Sequence, residues 1–185
     1  MKTTVKILIC VSLILLGCTK KNLDEKTAAE LIIKEYQYPR AVSYDVFCGD
    51  PAHARKIIEA GLEEKGLVKV DLKRRIIDSD KPFIHFTESA MPYLMQTPEE
   101  DKKYKIQKIK IAEENFDSIT NILGTSSDKL IIVEYTVTRK LNAFAPLWPD
   151  LQNKMKRKAY FVLSDKGWEP TDAKNAEFIN LRGNL

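Results

Sequence analysis

The feature that most constrains this chain is its N-terminal segment, MKTTVKILICVSLILLGC. Lys2 and Lys6 precede an apolar run from Ile7 to Leu16, and Cys18 follows after one glycine. A positively charged start, a short apolar run and small residues form the pattern of a secretory signal peptide. The run is shorter than the roughly 20 apolar residues that a membrane-spanning helix needs. We therefore expect residues 1–17 to be removed, which leaves 168 of the 185 residues to fold.

The last four residues of this segment, Leu15-Leu16-Gly17-Cys18, resemble the lipobox of bacterial lipoproteins. The resemblance implies that Cys18 receives a diacylglyceryl group, that cleavage occurs just before it, and that its new amino terminus is acylated. Thr19 is not the aspartate that retains some of these proteins in the inner membrane. The implied location is the bacterial cell envelope, with a lipid anchor in the outer membrane. The alternative is an uncleaved leader in which Cys18 is an ordinary thiol.

Charge and cysteine content restrict which partners the mature chain can bind and how its fold can be stabilised. Once the two leader lysines are removed, 28 basic side chains face 26 acidic ones. A nearly neutral chain has no field that would concentrate a polyanion, so we expect no nucleic-acid partner. Cys10 leaves with the leader and Cys18 carries lipid, so Cys48 has no partner for an internal disulfide. Stability must then come from a packed core, for which 44% hydrophobic composition is sufficient.

The residues after a polar tether at 18–26 alternate helix and strand signals. The sequence TAAE from Thr27 fits a capping box and predicts a helix that Pro39 ends. Residues 42–47 alternate as a strand does. An Asp-Pro pair then opens a predicted helix over residues 50–66, since aspartate suits the N-cap and proline the first turn.

The sequences LEEKGLVKVDLKRR and PFIHFTESAMPYL resemble the recognition-helix end, two-stranded wing and following helix of winged helix-turn-helix domains. We therefore predict a helical, winged-helix-like α+β domain over residues 27–96. The chain departs from that family because only one helix fits between Pro39 and Leu67. That helix also balances its acidic and basic residues, and DNA affinity depends on a basic surface that contacts phosphates.

The polar sequence TPEEDKK at 97–103 predicts a linker, and strand signals dominate beyond it. Strands are predicted at 104–112, 116–123, 129–141 and 155–163, and a turn at 164–167 leads into a short return strand. An antiparallel β-sheet domain over residues 104–185 follows. The predicted fold class is α+β, with a helical, winged-helix-like N-terminal half followed by an antiparallel sheet.

Two residues form the candidate catalytic set. His53 is predicted in the first turn of the second helix, close to Cys48, and a thiolate near a helix N-terminus has a lowered pKa. A nucleophilic Cys48/His53 pair is one interpretation. The other is that Cys48 packs as a small hydrophobic residue while His53 faces solvent. Adding His85 gives no short ligand spacing, so neither a metal site nor another cofactor is predicted.

Charged positions have two interpretations as well. Adjacent carboxylates such as Glu113 and Glu114 are expected to point apart and to be solvated. The basic group Lys73, Arg74, Arg75 and the run Lys154, Lys156, Arg157, Lys158 either contact anionic lipid head groups or form a solvated strand face.

One apolar loop is the candidate contact surface. Phe144, Leu147 and Trp148 lie among prolines, either as an exposed contact patch or as a lid over the sheet. We expect a noncatalytic binding or assembly module of the envelope, with the membrane and an envelope protein as partners. The alternative is an envelope enzyme that uses Cys48 and His53.

Overall fold

The computed structural model describes residues 22–73, 81–125 and 127–182, and in these ranges the fold is dominated by antiparallel strands. The strands are β1 (Arg40–Phe47), β2 (Val68–Val70), β3 (Ile84–Phe86), β4 (Ile106–Gly124), β5 (Leu130–Leu141), β6 (Lys154–Ser164) and β7 (Gly167–Thr171). The α-helices are α1 (Glu25–Glu35), α2 (Pro51–Glu59), α3 (Glu99–Lys103) and α4 (Ala173–Arg182). Two 3₁₀ turns, Glu88–Tyr93 and Ala145–Leu147, lie in the connections. None of the helices in these ranges is long and apolar enough to cross a membrane.

Strand β4 is the spine of a curled five-stranded sheet with the order β1-β4-β5-β6-β7. It is 19 residues long. Its first half pairs with β1 from Arg40↔Glu114 to Phe47↔Ile106, and its second half pairs with β5 as far as Gly124↔Ile131. The two strands predicted at 104–112 and 116–123 therefore form one continuous strand. The sheet takes its first strand from the N-terminal half and the others from the C-terminal half.

The predicted fold class, with its helical winged-helix-like N-terminal half, is wrong. The chain is mostly antiparallel β-structure, and β1 belongs to the large sheet instead of supporting a helical bundle. A two-stranded sheet does form where the wing was predicted, but β2 and β3 are only three residues each. The positions predicted to extend that wing, residues 74–77, lie outside the described ranges. The alternation of apolar and polar residues over 42–47 predicts a strand, but the pairing of this strand with β4 depends on residues distant in sequence.

Capping side chains determine where the two helices that flank β1 begin. Asp50 caps α2 by accepting a hydrogen bond from the Ala52 amide at 2.8 Å, and Pro51 begins the helix, which confirms the predicted start. The helix ends at Glu59 and not at residue 66 as predicted. The cap of α1 is Asp24, not Thr27, because the Asp24 carboxylate accepts from the Thr27 amide at 2.9 Å.

Two buried apolar clusters pack along β4. The first joins β1, α2 and the small sheet to the start of β4, and includes Val46, Ile57, Ile109 and Phe144. The second joins α1 to β5 and β6, and includes Ile32, Tyr135 and Phe161. Burying each large apolar side chain contributes roughly 1.5–3 kcal/mol. Along β4, Glu114 lies between the residues of the two clusters.

Candidate binding site

The predicted catalytic residues Cys48 and His53 both have structural contacts. Cys48 follows β1, is 8% exposed, and directs its Sγ toward the Val46 carbonyl oxygen at 3.7 Å. Burial raises the pKa of this thiol to about 11, so it is protonated at neutral pH. His53 lies in the first turn of α2, where its Nδ1 accepts a hydrogen bond from the Phe47 amide at 2.9 Å.

The same hydrogen bond defines the protonation state of His53. An Nδ1 that accepts a hydrogen bond must lack a proton, so the ring is neutral and carries its proton on Nε2. The ring stacks on Tyr44 at 6.0 Å between centroids and meets Phe47 edge-on at 5.0 Å. Burial lowers the pKa of His53; the negative charge of Asp50 raises that pKa, and the positive charge of Lys56 lowers it further. No hydrogen bond joins Cys48 to His53 within the described ranges, and a nucleophilic role for the pair stays a prediction.

The predicted contact loop presents one of its three residues to solvent. Phe144 is fully buried and packs against Phe86 and Tyr93, and Leu147 is 1% exposed. Trp148 is 44% exposed. A contact through this loop therefore depends on Trp148, while the other two residues close the first apolar cluster.

Two further sequence predictions concern other positions. Cys18, the predicted lipidation residue, lies outside the described ranges. His85 is in β3, where it pairs with Lys69 of β2. Within residues 22–73, 81–125 and 127–182, no group of three or more His, Cys, Asp and Glu side chains is placed to hold a metal ion.

The most unusual group in the fold is a buried carboxylate surrounded by three arginines. Glu114 of β4 is fully buried. Arg40 of β1 donates to its Oε1 from Nε at 3.0 Å and from Nη2 at 2.8 Å. Arg139 of β5 donates to Oε2 from Nε at 2.8 Å, and its Nη2 forms an ion pair with the same oxygen at 2.7 Å. Nη2 of Arg157 on β6 bridges both oxygens at 3.1 and 2.9 Å.

We call these four residues the arginine cluster, and its electrostatics keep the carboxylate ionised. Burial raises the pKa of Glu114, but the hydrogen bonds from Arg157, Arg40 and Arg139 outweigh it and hold the pKa below its ordinary value. The cluster carries three positive charges and one negative charge. Its arginines therefore remain a source of positive potential even though each is paired.

A pocket of about 330 Å³ opens over this cluster. We call it the β6 pocket, and it is lined by Tyr36, Arg40, Tyr135, Met155, Lys156, Arg157 and Lys158. Tyr36 and Tyr135 stack at 6.2 Å between centroids, and the Tyr135 hydroxyl lies 3.3 Å from that of Tyr38. Burial raises the pKa of both Tyr36 and Tyr135, so both are neutral phenols at physiological pH.

The adjacent glutamates Glu113 and Glu114 predict solvated carboxylates, and the burial of Glu114 contradicts that prediction. The three arginines come from three different strands, so no local spacing connects them. The available signal is the alternation of β4, in which Glu114 occupies the same-face position between the apolar residues Ala112 and Phe116. Of the basic run at 154–158, Arg157 is on the pocket face of β6 with Tyr135, whereas Lys156 and Lys158 border the pocket from the opposite face of the strand.

Comparison with known proteins gave no match: no family model fits the sequence, and no curated protein or solved structure is significantly similar to it. The function is therefore inferred from the chain's own geometry.

Proposed function

We propose that this chain is a lipid-anchored, noncatalytic binding or assembly module of the bacterial cell envelope, and that the β6 pocket is its binding surface. The signal-peptide pattern and the lipobox ending at Cys18 support the anchor. The pocket supports the binding role because it joins aromatic walls to fixed charged groups in one concave surface.

The observation that carries this proposal is the rigid floor of the pocket. Arg40 and Arg157 are each held against Glu114 by short hydrogen bonds. Free arginine side chains lose about 2 kcal/mol of rotamer entropy when they are ordered. Side chains that are already ordered avoid most of that cost when a ligand binds. A ligand would thus meet a prearranged surface, as effective binding sites require.

The test is a pull-down from detergent-solubilised envelopes with the full-length lipidated protein. Met155→Trp places a bulky ring at the pocket, because Met155 is a half-buried lining residue on the same face of β6 as Arg157, and a cooperative thermal unfolding transition shows that the variant is folded. Lys69→Trp is the control because it places the same ring at an exposed position of β2, away from the pocket.

We expect a retained partner that Met155→Trp loses and Lys69→Trp keeps. Equal retention by both variants would contradict the pocket as the binding surface. Loss of the partner only with Trp148→Ala would move the surface to the 144–148 loop. Release of the protein from membranes by Cys18→Ala would support the anchor, whereas membrane retention of that variant would contradict it.

A further inference from the structure

The two faces of β6 carry different side chains, and the β6 pocket opens on one of them. Successive side chains of a strand point to opposite faces of its sheet. Met155 and Arg157 therefore share the face of Tyr135, which pairs with Arg157 in the β5–β6 register. Lys156 and Lys158 lie on the other face. The charge at the pocket is consequently determined by the arginine cluster and not by these lysines.

The arginine cluster leaves one positive charge at the pocket. Arg40 and Arg157 line the pocket and share the Glu114 carboxylate as their partner, so two cations meet one anion. Arg139 supplies a further cation to the cluster, and Glu35 at the end of α1 supplies a further anion beside the pocket, so the wider balance is the same. A ligand with a single negative charge complements this balance.

Both lining guanidinium groups keep a free edge. Arg40 turns its Nε and Nη2 toward Glu114, and Arg157 turns its Nη2 toward the same carboxylate. In the part of the chain that the structure describes, neither Nη1 atom donates a hydrogen bond to another residue, and neither is buried, so both are open to solvent. The two Nη2 atoms contact the same Glu114 oxygen, at 2.8 and 3.1 Å, so the guanidinium groups are neighbours. Neighbouring guanidinium edges suit the two oxygens of one carboxylate.

The walls of the pocket are aromatic and apolar. The rings of Tyr36 and Tyr135 are 6.2 Å apart between centroids and inclined by 25°, and Met155 completes the lining beside them. The thioether of Met155 is flexible and polarizable, and it makes favourable contacts with aromatic rings. The pocket volume of about 330 Å³ suits one aromatic ring with a short acidic chain. An occupant that carried only charge would leave these walls unused.

We propose that the β6 pocket binds a carboxylate that is attached to an aromatic group. This inference rests on the proposed function and specifies the chemistry of its ligand. The carboxylate accepts hydrogen bonds from Nη1 of Arg40 and Nη1 of Arg157, and its charge balances that of the pocket. The aromatic group contacts Tyr36, Tyr135 and Met155. The source of the carboxylate is either a free aromatic acid or the C-terminal residue of an envelope protein.

The experiment is calorimetric titration of the full-length lipidated protein in uncharged detergent. N-acetyl-L-phenylalanine is the probe, and its neutral amide and acetate are the controls. The amide keeps the ring without the negative charge, and acetate keeps the charge without the ring. We expect the probe to bind with one-to-one stoichiometry. Each control should bind on the order of tenfold more weakly or less, because it lacks one of the two contacts.

Two variants remove one cation each, from opposite faces of the sheet. Arg40→Gln should weaken the probe on the order of tenfold or more, because it removes a charge-assisted hydrogen bond and the net positive charge. Glu114 keeps Arg139 and Arg157 as partners in this variant, so the chain should stay folded, as a cooperative thermal unfolding transition would show. Lys156→Gln is the matched control and should leave the affinity unchanged, since Lys156 is exposed on the other face.

The wild-type titrations test the proposal even where a variant is destabilised. The proposal is overturned if N-acetyl-L-phenylalanine does not bind the wild-type protein, or if its amide or acetate binds as tightly. Equal binding of the probe by folded Arg40→Gln and Lys156→Gln would also overturn it.

A second aromatic acid, 3-phenylpropionate, distinguishes the two sources because it keeps the ring and the carboxylate but lacks the peptide group. If it binds as tightly as the probe, the ligand is a free acid. If it binds on the order of tenfold more weakly, the peptide group is also recognised and the ligand is a chain terminus.

Failure of this inference can be distinguished from failure of the proposed function. An envelope partner that Met155→Trp loses, combined with no binding of N-acetyl-L-phenylalanine, would retain the binding module and reject the carboxylate ligand.

Discussion

Replacing Glu114 by glutamine removes the carboxylate to which Arg40, Arg139 and Arg157 all donate hydrogen bonds. Glutamine has almost the same shape but carries no charge, and its amide nitrogen donates instead of accepting. Three guanidinium groups would then repel one another around a buried, uncharged side chain. The free energy of unfolding should fall without a change in the fold.

The burial of each partner sets the magnitude. Removing one member of a buried ion pair typically costs about 3–5 kcal/mol because the remaining charge is uncompensated. The arginine side chains are 11% exposed for Arg139, 29% for Arg157 and 37% for Arg40, so water can partly solvate two of them. We therefore expect a loss of about 3 kcal/mol, at the lower end of that range. For a domain of this size, that lowers the melting temperature by about 6–12 °C.

The assay is urea unfolding followed by circular dichroism, with Glu113→Gln as the matched control. Glu113 is the adjacent residue on β4, and its side chain is 43% exposed and pairs with Lys110 at 3.7 Å. A surface pair of this kind contributes about 0–1 kcal/mol. If Glu114→Gln destabilises the protein no more than Glu113→Gln does, the buried cluster does not stabilise the fold as described.

The same variant has a characteristic pH dependence. The pKa of Glu114 is lower in the folded chain than its ordinary value of 4.5, so the folded state binds this proton less readily than the unfolded state. The resulting stabilisation is fully present above pH 4.5 and is lost as the pH falls through the lower folded pKa. The stability difference between wild type and Glu114→Gln should therefore shrink as the solution is acidified below pH 4.5. A difference that stays constant down to pH 2 would contradict an ionised Glu114.

Three other predictions concern the elements around β1. Because the folded pKa of His53 is below its ordinary 6.5, the free energy of unfolding should decrease from pH 7 to pH 5, and His53→Phe should decrease less in the same urea titrations. Cys48, with a pKa of about 11, should react slowly with Ellman's reagent at pH 8 in the folded protein and rapidly in urea; fast reaction of the folded protein would contradict its burial. Asp50→Ala should cost about 1 kcal/mol because it removes the N-cap of α2, whereas an unchanged urea midpoint would argue against this cap.

The parts of the fold that depend on neighbouring residues could be read from the sequence. The Asp50-Pro51 pair predicts the start of α2 because capping involves residues two or three positions apart. The alternation of β5 and β6 also predicts their strands, since each buried face repeats every second residue. These features are local, and the structure contains them.

The errors arose where long-range pairing decides the outcome. The pattern of β1 is equally compatible with a small domain of its own, and only its register with β4 shows that it belongs to the large sheet. The winged-helix resemblance used generic apolar positions that also suit a short sheet beside α2. The spacing of apolar residues within a strand does not indicate which distant strand it pairs with.

The candidate site was unpredictable for the same reason. Glu114 follows another glutamate, which favoured a solvated interpretation, although its place in the alternation of β4 points toward the core. Its partners Arg40, Arg139 and Arg157 come from β1, β5 and β6, and the sheet register alone brings them together. The available sequence signal is a charged residue at a strand position where alternation predicts a buried side chain.

The most direct test of the central claim is photo-cross-linking in intact cells that express the lipidated protein. A photoreactive phenylalanine analogue would replace Met155 at the pocket or, as the control, Lys69 of β2. We predict a discrete adduct with an envelope component from position 155 and none from position 69. Identical patterns from both positions, or no adduct from position 155, would contradict the β6 pocket as the binding surface of this protein.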